Sequence, residues 1–287
     1  MISLIAKLFG GARTVAENPA KAVAPAEHLD EYVVTFPTSQ NAIDILPGWN
    51  QAFPDVMGLK AGTVHLYNDP RILWALEQYG PLEGKAVLEI GPLEAGHTWM
   101  LEQRGPALID AVEANKLSYL RCLVSKEILQ LKLARFHLGD CQLWLENRED
   151  RYDLVVASGV LYHMRDPIRF LSAIAARTDA LFLWTHYADD GAMPVGDTRR
   201  AAFTGPPEVR EHLGVPVRLH PRTYLKSWEN KSFCGGMHDL HYWIERADLL
   251  QLLERMGFDD VRIWGDDPAH PYGPAFNLFA RRSRPQG

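Results

Sequence analysis

Lys85-Ala86-Val87-Leu88-Glu89-Ile90-Gly91-Pro92-Leu93-Glu94-Ala95-Gly96-His97 is the stretch from which the rest of the chain is read. A short apolar run ends in an acidic residue and a glycine, ahead of a helix-forming segment. A buried parallel strand has this pattern where it turns sharply and brings its backbone close to a nucleotide-like ligand. Glycine at 91 removes the Cβ that would block such an approach, and Gly96 is expected to free the turn into the helix.

Four segments downstream repeat the design of apolar strand and polar tip. Residues 108–113 end in Glu113, residues 136–140 in Asp140, residues 152–158 in Ser158 and residues 181–186 in His186. Helical patterns lie between them, such as residues 116–129 with Leu117, Leu120, Leu123, Ile128 and Leu129. Apolar strands alternating with helices predict a parallel sheet covered on both faces. In such sheets ligands sit beyond the carboxyl ends of the strands, where the topology reverses. Every polar tip falls at such an end.

From about residue 84 to 170 the chain resembles the class I S-adenosylmethionine-dependent methyltransferases. Val87-Leu88-Glu89-Ile90-Gly91 matches that family's first motif, Glu113 the acidic residue ending its second strand, and Asp140 the one after its third. Residues 152–167, Tyr152 to Pro167 and including Ser158, Tyr162 and His163, are similar to the fourth motif. They are most similar to the branch that holds the tRNA wobble-uridine carboxymethyltransferases and many small-molecule methyltransferases. Tyr242-Trp243, a helical pattern over 247–256 and Gly257-Phe258 with two strands fit the family's closing helix and antiparallel hairpin. The resemblance covers roughly residues 84–281, apart from a segment inserted after the fifth strand. It implies an α/β, doubly wound, Rossmann-like sheet of seven strands, mostly parallel with an antiparallel last strand, plus N-terminal helices and an inserted lid. Where the family usually has two further glycines at alternate positions, this chain has Leu93 and Ala95. That departure bears on the path of the loop around the methionine part of the cofactor.

The resemblance implies S-adenosylmethionine as cofactor, and each part of that molecule asks for a different partner. A carboxylate closing the second strand, Glu113, suits both ribose hydroxyls through charge-assisted bonds. Asp140, with Cys141 and Gln142 beside it, suits the adenine amino group. Glu89 is expected to orient the glycine loop or meet the ammonium of the methionine part, with Gly91, Gly96 and Ser158 completing the cofactor site. Methyl transfer from a sulfonium needs mainly an aligned nucleophile, helped by a general base when the acceptor is a hydroxyl. His163 and His186, at the ends of the fourth and fifth strands, are the candidate catalytic bases. Bracing the helix start at Asp166-Pro167 is the alternative for His163, and a framework role for His186.

Composition sets further bounds. The 287 residues are 47% hydrophobic, enough for one α/β domain with an elaboration. Residues 1–27 read as a flexible N-terminal tail, 28–80 as a helical cover, and 81–287 as the catalytic domain with an insertion at 187–241. In the cover, Asp69 and Pro70 open a helix over residues 72–79. The resemblance implies that this helix covers the cofactor cleft, with Tyr67 and Arg71 approaching the cofactor's carboxylate or the substrate; packing with capping is the alternative. The insertion leads into a polar-aromatic cluster of Tyr224, Trp228, Asn230, Phe233, His238, His241, Tyr242 and Trp243, suited to a hydroxylated or partly planar small molecule. A net charge of −6 argues against a large nucleic-acid footprint. Three separated cysteines, Cys122, Cys141 and Cys234, suggest neither disulfides nor a zinc site and fit the cytoplasm. No metal site is expected, the apolar start at 1–9 is too short for stable membrane insertion, and homo-oligomerisation is left open.

A small-molecule O-methyltransferase is the leading reading. The alternatives are an RNA-directed methyl- or carboxymethyltransferase and a non-catalytic S-adenosylmethionine-binding protein. A nicotinamide-dependent oxidoreductase is disfavoured because Gly91 to Gly96 lacks the middle glycine of that fingerprint.

Overall fold

Two half-cores explain how the sheet is wound. Along the first strand, β1 (Ala86–Ile90), Val87 packs to one side while Leu88 and Ile90 pack to the other. The strand at residues 154–158 splits likewise, Leu154 and Val156 against Val155 and Ala157. Two-residue alternation of apolar side chains toward both faces requires a layer of helices on each.

The computed structural model describes residues 31–229 and 235–283. The chain divides into Met1–Phe36, of which residues 31–36 are described, and Pro37–Gly287. The expected tail at 1–27, and Asn230, Phe233 and Cys234, lie outside the described residues.

The body opens with α1 (Ser39–Asp44) and α2 (Pro70–Tyr79), the latter capped by Asp69 with Pro70 at its first position. Strand β1 then alternates with α3 (Gly96–Glu102), β2 (Leu108–Glu113), α4 (Lys116–Leu129), β3 (Ala134–Leu138), α5 (Cys141–Asn147), β4 (Leu154–Ser158), α6 (Pro167–Ala175) and β5 (Ala180–His186). The insertion supplies β6 (Glu208–His212) and β7 (Val215–Arg222), which join β8 (His241–Ile244) in a separate three-stranded antiparallel sheet. Helix α7 (Arg246–Arg255), β9 (Asp260–Asp267) and β10 (Ala275–Arg281) close the chain. The main sheet has seven strands in the order β3-β2-β1-β4-β5-β10-β9, with only β10 antiparallel to its neighbours. Chain direction reverses across the sheet between β1 and β4, so the tips of β1, β2 and β4 open onto the crevice where ligands bind.

Two local expectations are corrected. The third strand ends at Leu138, and Asp140 is instead the N-cap of α5, its side chain accepting from the Gln142 N–H at 2.8 Å. In α4 the buried face is Ser118, Arg121, Cys122 and Ser125, while Leu120 and Leu123 are exposed. Small residues are needed where the helix meets the glycine loop: Cys122 Sγ stands 3.5 Å from the Leu93 carbonyl. The outer side of α4 carries Val124, Ile128 and Leu129, which pack with Ile43, Phe53 and Tyr67 of the cover.

Candidate active site

The loop after β1 shapes the site. Gly91 has φ +70°, and a Cβ there would stand 3.0 Å from Val160 Cγ2. Leu93 and Ala95 also adopt left-handed backbone, with φ 55° and 70°. Those are the two positions where the resemblance expects glycine, so the turn is kept without the residue that favours it. Gly96, in contrast, is a residue of α3 with no left-handed φ, and a Cβ on it would fall 2.2 Å from Gln51 Oε1. It serves close packing, not the turn.

A cleft of about 820 Å³ runs along the strand tips. Of the candidate residues, Gly91, Glu113, Asp140, Cys141, Ser158 and His163 line it; Glu89, Gly96 and His186 do not. Glu113 is buried and accepts from the Leu93 N–H at 3.2 Å and the Asn115 N–H at 2.8 Å. Burial raises its pKa against the pull of those backbone donors. Glu89 lies behind the loop, where Thr98 Oγ1–H donates to it at 2.5 Å. Burial, with the charge of Glu113 adding, pushes its pKa up to about 7. Its task is therefore to tie α3 to β1. The Cys141 thiol is pushed up to about 12 by burial and stays neutral.

His186 is framework too. It is 6% exposed, its Nδ1–H donates to the Gly273 carbonyl at 2.8 Å, and its ring stacks on Trp243 at 5.0 Å. Burial lowers its pKa to about 4. The ring is not among the residues that line the cleft, so the structure does not bring His186 to the position expected of a base.

His163 is placed differently. Its Nδ1 faces the Tyr224 hydroxyl at 2.6 Å, and that oxygen also accepts from the Gly236 N–H at 2.7 Å. Tyr224 and Gly236 come from the insertion, so tertiary structure brings them to the tip of β4. The fit is close: a Cβ on Gly236 would meet the His163 carbonyl at 2.6 Å. Burial first, then electrostatic interaction with His241, His186 and Arg222, lowers the His163 pKa to about 3. The imidazole is therefore unprotonated at neutral pH.

Several residues in and behind the cleft wall were given no such contacts in the sequence reading. Glu94, in the middle of the glycine loop, is fully buried and accepts from the backbone N–H groups of Asn50 and Gln51, at 2.9 and 2.7 Å. Arg121 Nη1 pairs with it at 3.0 Å while Arg121 Nη2 donates to the Pro47 carbonyl. The cover is thereby clamped to the cofactor loop. Asp69, expected only as a cap, also holds Arg71 in a bidentate pair at 2.9 and 2.5 Å and His97 at 2.8 Å. Arg71 and His97 both line the cleft, and the Arg71 guanidinium lies 4.7 Å over the Trp184 ring. The sequence signal was there in Asp69-Pro70-Arg71, but not the partner His97. Gln51 also lines the cleft, with both amide atoms buried and unpartnered.

This donor set fits S-adenosylmethionine: a carboxylate at the tip of β2 and another at the N-cap of α5, and a bare glycine that a Cβ would fill against Val160. Among the described residues no group of three or more His, Cys, Asp or Glu could hold a metal ion, and no helix is long and apolar enough to cross a membrane.

A family model described as a methyltransferase domain matches residues 74–263. The chain is 27% identical over 177 residues to a tRNA U34 carboxymethyltransferase of Pseudomonas aeruginosa (strain LESB58), covering 59% of this chain and 53% of that protein. It is 22% identical over 222 residues to one of Chromohalobacter salexigens, covering 72% and 55%. The chain thus spans about half the length of the curated relatives it matches. In fold it is similar to the N-terminal domain of EvdMO1 with SAH bound, at TM-score 0.63 and 20% identity, covering 86% of this chain and 95% of that one. It is also similar to the bifunctional kinase-methyltransferase WbdD, at TM-score 0.53 and 17% identity, covering 87% and 47%. Since the matched domain takes in β1 to β4, the whole lining of strand tips and the helices around them, the chain belongs to the methyltransferase-domain family, with the class I S-adenosylmethionine-dependent methyltransferase fold.

Proposed function

We propose that the protein methylates a hydroxyl group of a small molecule. The observation that carries this reading is the His163–Tyr224 pair in the wall of a cleft of about 820 Å³, under a strap of Gly235, Gly236, Met237 and Leu240. That volume suits the cofactor and a compact acceptor together; pockets of roughly 300–1,000 Å³ are usual for small ligands. When bound, S-adenosylmethionine supplies a methyl carbon already activated by its sulfonium.

The residues have three tasks. Glu113 and Asp140 hold the ribose and adenine ends, which sets where the sulfur lies. The strap and the aromatic wall of Tyr162 and Trp184 exclude water and hold the acceptor in line, and alignment of this kind supplies the largest share of the acceleration. His163 takes the hydroxyl proton. In that role Nδ1–H donates to the Tyr224 oxygen and Nε2 is the unprotonated nitrogen. The low pKa of the imidazole makes it a weak base, so proton removal accompanies methyl transfer and does not precede it.

The test is a panel of hydroxylated small molecules with S-adenosylmethionine, followed by mass spectrometry for a methyl ether. Product formation that survives RNase is expected. Product that appears only with added tRNA and disappears with RNase would replace this reading with an RNA-directed methyl- or carboxymethyltransferase. The curated relatives favour that second reading, and the net charge of −6 speaks against it.

A further inference from the structure

The imidazole of His163 lacks the partner that makes a histidine a strong base. Its Nδ1 faces the Tyr224 hydroxyl at 2.6 Å, where a carboxylate would favour the protonated ring. The titratable groups that act on it come from three strands: His186 of β5, Arg222 of β7 and His241 of β8. Burial lowers both of those histidines to about 4, so they are neutral at pH 7. Asp239, the acid of that stretch, accepts from the Tyr224 N–H at 2.9 Å and acts on His241. The charge that falls on His163 is therefore that of Arg222.

Arg222 stands opposite His241 in the β7–β8 register, and the His241 ring stacks on Tyr224 at 4.3 Å. Its guanidinium lies 3.7 Å over the Trp243 ring and 4.8 Å over Phe203. Nη1 donates to the Arg199 carbonyl at 3.4 Å, and Nε is buried without a hydrogen-bond partner. Among the described residues no carboxylate pairs with it. Burial lowers its pKa only to about 10, so the charge persists at neutral pH. A fixed cation behind the wall opposes protonation of the imidazole. A second observation concerns shape. Tyr162 and Trp184 line the cleft with rings 5.7 Å apart and nearly perpendicular, and Tyr162 lies 4.1 Å from the His163 ring. Such walls suit a flat aromatic ring.

A weak base removes a proton during methyl transfer only from a hydroxyl that gives it up readily. We infer that the acceptor is a phenol, and that Arg222, acting through His163, sets the preference for an acidic hydroxyl over an alcohol. This rests on the hydroxyl-methylation reading above. The phenol oxygen bonds to the methyl carbon as the carbon–sulfur bond breaks, the bonding pair stays on sulfur, and the phenol proton passes to His163 Nε2.

The test compares kcat/KM for a set of phenols and the matching cyclohexanols, by mass spectrometry of the methyl ethers formed with S-adenosylmethionine. Phenols are expected to lead by roughly 100-fold or more. They are also the more acidic in water, so the variants decide. Arg222→Met removes the charge and keeps an apolar stem. It should narrow the gap by about tenfold and raise the acid limb of the phenol pH profile by about one unit. Arg222→Lys should keep the wild-type values, and Arg222→Gln serves if Arg222→Met does not fold. A gap and an acid limb that stay in place without the charge would overturn the inference. So would cyclohexanols turned over as fast as phenols by the wild type, with hydroxyl methylation left standing. Methyl ether from neither set would overturn the inference together with that reading.

Discussion

Glu113 and Glu89 are both buried carboxylates of the same sheet, and their partners separate them. Glu113 faces the cleft with two backbone donors already on it, whereas Glu89 faces Thr98. Glu113→Ala is expected to weaken S-adenosylhomocysteine binding by roughly 10- to 100-fold in calorimetry, and Glu89→Gln by less than about threefold. The reverse ranking would remove Glu113 from the ribose. With an acceptor in hand, His163→Gln should lower kcat by about 10²- to 10³-fold with cofactor affinity unchanged, and Tyr224→Phe should lower it less. His186 belongs to stability. Its folded pKa of about 4 lies below its ordinary 6.5, so the unfolded chain binds the extra proton as pH falls through that window. Stability is therefore present above pH 6.5 and lost toward pH 4, by roughly 2 kcal/mol between pH 7 and pH 5 from this group alone. Urea midpoints of His186→Asn should fall correspondingly less between those two pH values than wild type; parallel curves would show that the proton binds elsewhere.

Among elements, the loop from Gly91 to Gly96 is where sequence pattern and backbone part company. Left-handed Leu93 and Ala95 each cost about 1 kcal/mol or more relative to glycine. Ala95→Gly relieves that strain but loses a buried methyl and adds chain entropy, so its stability should stay within about 1 kcal/mol of wild type. Gly91→Ala adds strain and a contact with Val160 in the cofactor path, and cofactor binding should fall with it. The ion pair of Glu94 with Arg121 is the other loop device. Removing one partner of a buried pair leaves an uncompensated charge, so Glu94→Ala should cost on the order of 3–5 kcal/mol by urea unfolding. Limited proteolysis should then cut first in the cover around residues 47–64. An unchanged cleavage pattern would mean that Ile43, Phe53 and Tyr67 hold the cover without the clamp.

On the scale of the whole molecule, the cleft is assembled from three stretches far apart in the chain: the cover before β1, the strand tips of the wound sheet, and the strap from the insertion. Ligand binding should therefore stabilise all three together. At a ligand concentration 100 times Kd the gain is about 2.7 kcal/mol, and hydrogen exchange should slow in the cover and near Gly236 as well as at the strand tips. Protection confined to the strand tips would separate the cover and strap from cofactor binding. The strands themselves, Glu113 at the end of β2 and Gly91 were legible because they are local: a buried strand reads as an apolar run, and the residue that ends it is next in sequence. Asp140 was found for its carboxylate and misplaced by two residues of strand, since a short Gly-Asp step reads equally well as a strand end or a helix cap.

What the chain alone determined is the alternation of strand and helix, hence a parallel sheet covered on both faces with its ligand edge at the strand ends; the winding into seven strands came as what the resemblance implies. Side-chain period requires nothing from distant residues. What only tertiary structure decided is which polar groups share the cleft. Asp69 with His97 and His163 with Tyr224 are pairs separated by tens of residues, and no periodicity links their members. His186 and Glu89 lie at strand positions as suggestive as those of His163 and Glu113, and only the packing of Trp243 and Thr98 against them turns their side chains to the framework.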